Sequence, residues 1–66
     1  MLSYVECIYV LIHAKRIALK ESRGDHYSIA CLADKVVRCD EITESQELKL
    51  FEYAVREQVV SRKTQR

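Results

Sequence analysis

The sequence predicts an all-α protein, a three-helix bundle completed as a homodimer, and three observations carry that reading. The 66-residue chain has one glycine and no proline, whereas sandwiches, barrels and collagen-like repeats need such residues at their turns. Apolar residues make up 48% of the chain and the formal net charge is only +1, the reverse of the balance found in disordered chains. Those apolar residues recur at helical spacing through three segments separated by two breaks. A single core of this size is marginal without disulfides, a metal or a second chain, so an apolar excess reads as association. The expected organisation is one helical domain over residues 1–62 with a basic tail at 63–66.

The first helix is expected over about residues 3–21. On a helical projection Val5, Ile8, Leu11, Ile12 and Leu19 share one broad face with Tyr4, Cys7, Ala14 and Ala18, while Ser3, Glu6, His13, Arg16 and Lys20 lie opposite. Val10 and Ile17 fall one heptad apart on the polar side, as a spare apolar stripe. The β-branched residues near the start also suit a strand, but the following run of strong helix formers, Ala14 to Glu21, favours helix. The apolar run is shorter than the ~20 residues of a membrane span. Its flanking Lys15 and Arg16 follow it, whereas a signal peptide carries its positive charge before.

Ser22 to Asp25 forms a sharp break, with Gly24 at or just past the end of the first helix. A second helix is expected over about residues 26–38, with Asp25 as its N-cap. Ile29, Leu32, Ala33, Val36, Val37 and Cys39 fall on one side. Tyr27, Cys31, Asp34, Lys35 and Arg38 fall on the wet side, where Asp34 and Arg38 form an i,i+4 pair. Cys7 and Cys39 read as small core residues. An odd number of cysteines without the clustered spacing of a zinc site points to no metal and to a reducing cytoplasm.

Thr43 to Gln46 reads as a capping box opening a third helix over about residues 44–62. Leu48, Phe51, Val55 and Val59 form its main stripe, and Leu50, Tyr53 and Val60 a second one on the opposite side. Helices with two apolar faces mark an interface. The expected dimer or partner contacts are therefore Val10, Ile17, Leu50, Tyr53 and Val60. Lys15, Arg16, Lys20 and Arg23 form a basic segment suited to a phosphate or an acidic partner, and residues 40–52 are acidic.

Little in the chain points to catalysis. His13 and His26 lack a sequence neighbourhood that implies a positioned base, and there is no glycine-rich phosphate loop or HExxH motif. The expectation is a non-enzymatic protein without cofactor or small-molecule substrate. Tyr27 to Val36 looks like the first helix of a helix-turn-helix. Its turn position is Val37 or Arg38 instead of glycine, however, and Glu44 and Glu47 would meet phosphates at the start of the next helix.

Two family likenesses extend this reading. Ile29-Ala30-Cys31-Leu32-Ala33-Asp34 followed by Ile42-Thr43-Glu44-Ser45-Gln46-Glu47-Leu48 resembles a pattern in short proteins of tailed phages, over residues 28–60. That resemblance implies a phage or prophage accessory protein that blocks or redirects a host protein in the host cytoplasm. Residues 42–48 with Phe51 and Ala54 are also similar to the third helix of the Hha/YmoA family of nucleoid co-regulators. Those are small all-helical proteins that bind the oligomerisation domain of a DNA-packaging protein. Their acidic contact residue falls near Arg56, a reversal of charge. That co-regulator role, or a small DNA-binding regulator, is the alternative function.

Overall fold

The computed structural model describes residues 2–60. Three helices follow one another, α1 (Tyr4–Lys20), α2 (His26–Val37) and α3 (Glu44–Arg56), and no strand is present among the described residues. The predicted all-α three-helix bundle is what the chain forms. No helix of the described residues is long and apolar enough to cross a membrane.

Local side chains set two of the helix starts. Ser3 Oγ accepts from the Glu6 amide while the Glu6 carboxylate accepts from the Ser3 amide. Thr43 and Gln46 make the same reciprocal pair before α3, as the capping-box reading requires. Asp25 departs from expectation. It stands at the N-cap position of α2 but makes no side-chain cap, because its carboxylate is turned toward α3. The Asp34–Arg38 pair forms at 3.1 Å.

Two helix ends are closed by left-handed residues that are not glycine. After α2, Cys39 has φ 65°, with its amide bonded to the Val36 carbonyl and the Asp40 amide to Lys35. After α3, Gln58 has φ 61°, its amide bonded to Val55 and that of Val59 to Ala54. Both are Schellman closures. The second corrects the expected third helix, which stops at Arg56 instead of near residue 62. Val59 and Val60 turn back onto the core there. Positions 61–62 and the basic tail at 63–66 lie outside the described residues. Cys39, expected in the core, is exposed at its turn. Gly24 also takes a left-handed conformation, φ 82°, in the bend between α1 and α2.

The core is built from Val10 and Ala14 of α1, Ile29, Ala30 and Ala33 of α2, and Leu50, Tyr53 and Ala54 of α3. Alanines at the α1–α2 contact let those helices approach closely, and they are the most closely packed pair. Cys7 is also buried, as the sequence suggested. Cys7 lines a small cleft with Glu47 and Leu50, while His13 pairs with Glu57 beyond the end of α3. α1 and α3 therefore run in the same direction, with α2 against both.

The rotation of α1 and α3 about their own axes overturns the sequence reading of their faces. Val10, Leu50 and Tyr53 had been expected on spare exposed stripes. Instead Val10 is fully buried, and Leu50 and Tyr53 are only 2% and 1% exposed. Ile17 and Val60 are half-buried, Val60 packing on the core. The outward residues are the ones expected inside: Leu48 is 56% exposed, and Val5 and Ile12 are similarly open.

Candidate interaction surface

α1 buries its Cys7–Val10–Ala14 edge and leaves Tyr4, Val5, Tyr9, Ile12 and Leu19 exposed. Leu11, Ala18 and Leu19 of α1 line a groove with Tyr27, Ala30 and Cys31 of α2. Lys15 and Asp34 supply its charged rim, and its volume is about 500 Å³. Leu19 and Tyr27, at 89% and 75%, are the most exposed of the large apolar side chains. Both line this groove while staying largely in solvent.

A second exposed apolar surface follows the outer side of α1. Val5, Tyr9 and Ile12 lie on it, followed by exposed Arg16 and Lys20. The outer side of α3 is its counterpart in character. There Leu48 is exposed and Phe51 and Val55 half-buried, beside exposed Glu44 and Glu52. The basic residues Lys15, Arg16, Lys20 and Arg23 are all exposed, as the sequence predicts, and spread along α1 and the bend after it.

Tyr53 sits within a polar cluster that fastens the three helices at one end. Its hydroxyl shares a 2.6 Å hydrogen bond with His26 Nδ1, and the His13 and His26 rings both meet it edge-on. The Arg56 guanidinium lies 4.9 Å from the centre of the Tyr53 ring, a cation–π distance. Arg56 donates to both Asp25 oxygens, at 2.8 and 3.4 Å, and to Glu57 at 3.3 Å. His13 Nε2 donates to Glu57 at 3.1 Å, since an ionised carboxylate only accepts.

These contacts set the local electrostatics. Burial of its phenol, with Glu57 and Asp25 nearby, raises the Tyr53 pKa to about 12. The hydrogen bond from Arg56 lowers that of Asp25. The hydrogen bond from His13 lowers that of Glu57, with Arg56 assisting. Burial raises the Cys7 thiol, and Glu6 and Glu47 add to it. No buried side-chain nitrogen or oxygen of the described residues lacks a partner, which fits a structural fastening. The sequence reading missed this cluster because its members are separated by up to 44 positions.

Among the described residues, no three His, Cys, Asp or Glu side chains lie close enough to hold a metal ion. Compared with family models, curated proteins and solved structures, the chain matches none.

Proposed function

We propose that the chain is a small non-enzymatic interaction protein that binds another protein through the α1–α2 groove. The carrying observation is the pair Leu19 and Tyr27, which line an apolar groove and yet are left largely in solvent. Exposing large apolar groups is unfavourable for a free monomer, and clustered at a concave site they suit a partner's apolar anchor. The groove's volume is ample for a large side chain, and Lys15 and Asp34 can orient a polar flank. The likeness of residues 28–60 to tailed-phage proteins supplies the setting, an accessory protein acting on a host protein and inhibiting or redirecting it.

The co-regulator alternative is less well supported. Arg56, where that family carries its acidic contact, is held within the chain by Asp25 and Glu57.

Affinity capture from host lysate with wild type and with Leu19→Asp or Tyr27→Ser tests the reading. A protein retained by wild type and lost by both variants, at unchanged helicity, is the expected result. Equal capture by all three refutes the groove. Salt-dependent retention on duplex DNA would replace it with a nucleic-acid function.

A further inference from the structure

We propose that the outer face of α1 docks on an anionic lipid bilayer, the helix lying along the surface instead of crossing it. Val5, Ile8, Ile12 and Leu19 fall on one line of α1, at steps of three, four and seven residues that return to the same helix face. Val5, Ile12 and Leu19 are exposed and Ile8 is half-buried. Tyr4 and Lys15 flank this line on one side, and Tyr9, Arg16 and Lys20 on the other, all of them exposed. An aliphatic centre edged on both sides by tyrosines and cations suits a helix lying in the headgroup region. There phenol rings sit at the boundary, and long basic side chains reach back to the phosphates.

The charge on this face has one sign. The only carboxylate of α1 is Glu6, which is occupied by the Ser3 amide. Arg23 adds a further exposed cation after the helix, beside exposed Glu21. Asp34, which lines the groove with Lys15, already pairs with Arg38. Exposed carboxylates gather instead at Asp40, Glu41, Glu44 and Glu52, on α3 and the turn before it.

The surface that complements this face is therefore apolar in the middle and anionic on both flanks. A bilayer with acidic headgroups offers that combination along the whole helix. A second copy does not. Laid antiparallel about a two-fold axis, α1 would bring Arg16 and Lys20 to the N-terminus of the other α1, the positive end of its dipole. Laid parallel, it would set Arg16 beside Arg16.

Flotation of the full chain with vesicles tests the proposal, using phosphatidylcholine alone and equal parts of phosphatidylcholine and phosphatidylserine. Wild type binds the mixed vesicles, binds the neutral ones about tenfold more weakly or less, and loses affinity as salt is raised. Arg16→Gln and Lys20→Gln each lower the partition coefficient about fivefold, the effect of one cation near such a surface. Val5→Asp and Ile12→Asp each lower it by about tenfold or more, because a carboxylate replaces an aliphatic group against the acyl chains. Both positions face water in the free chain, so helicity without lipid stays at the wild-type value. Leu48→Asp, on α3, leaves vesicle binding unchanged. Absence of wild-type binding to the mixed vesicles overturns the proposal, and so does equal binding to neutral ones or undiminished binding by Val5→Asp and Ile12→Asp. A lipid-free oligomer that these two variants abolish assigns the face to a second copy and also overturns it. Val5 and Ile12 lie outside the groove lining, so both variants keep groove-dependent capture, and the two readings fail separately.

Discussion

The inverted face of α3 is open to a direct test with two leucines two positions apart. Leu50 is 2% exposed and Leu48 is 56% exposed, so truncating each to alanine removes the same atoms from opposite environments. Leu50→Ala takes buried methyl groups from the core cluster that Leu50 shares with Val10, Ile29 and Tyr53 and leaves a cavity. Such changes cost roughly 2–5 kcal/mol. Leu48→Ala removes a side chain that is half in water and should cost within about 0.5 kcal/mol. A chain of this length has about 3–10 kcal/mol of stability in total, so the first substitution uses a large part of it. Urea titration followed by far-ultraviolet circular dichroism gives both values. It should be run at low protein concentration, so that association does not contribute. Leu50→Ala should lower the midpoint with little change in slope. A Leu48→Ala variant as damaging as Leu50→Ala would refute the observed rotation of α3.

Gln58→Gly and Cys39→Gly should each raise stability, by about 0.5–1 kcal/mol, because glycine takes the left-handed closure without a Cβ penalty; a lowered urea midpoint in both would contradict the Schellman geometry. The raised Tyr53 pKa stabilises the fold fully below the unfolded value of 10.0, and that contribution is lost as pH rises through about 12. Tyr53→Phe should therefore flatten the alkaline limb of stability while costing about 1 kcal/mol at neutral pH. Glu57 has the opposite sign: its lowered pKa contributes stability above the ordinary 4.5 that disappears as pH falls below it. Glu57→Gln should reduce the acid dependence, and an unchanged acid profile would remove His13–Glu57 from the account. Thiol titration of the native chain should show Cys31 and Cys39, both exposed, reacting well before buried Cys7; simultaneous reaction of all three would argue against the packing around Cys7.

How far the structure was legible depended on the range of each interaction. The Thr43–Gln46 box and the Asp34–Arg38 pair are complete within four residues, so the letters alone identify them. Cys7 is buried and Cys31 exposed, as expected, since each lies on the side of its helix where the pattern put it. Asp25 was misread because its best partner, Arg56, lies 31 positions away. That bidentate contact outcompetes a local cap. The end of α3 was misread because Gln58 makes the turn in a place where only glycine would have announced it. The groove residues were visible as apolar letters, but no pattern distinguished Leu19 and Tyr27, left outside, from Val10 and Leu50, drawn in.

The sequence by itself determined the number of helices, the capped start of α3 and the all-α class, since these follow from local hydrogen bonding and helical periodicity. Only the tertiary structure decided which face of α1 and of α3 is inside. On both helices the apolar residues outnumber the places in the core, so hydrophobicity alone does not choose among them. Close packing does. Ala14 against Ala30 and Ala33 lets α1 and α2 approach, Leu50 and Tyr53 fill the space that remains, and the polar cluster around Tyr53 fixes the rotation of α3. The apolar residues left over by that choice are the ones available for binding.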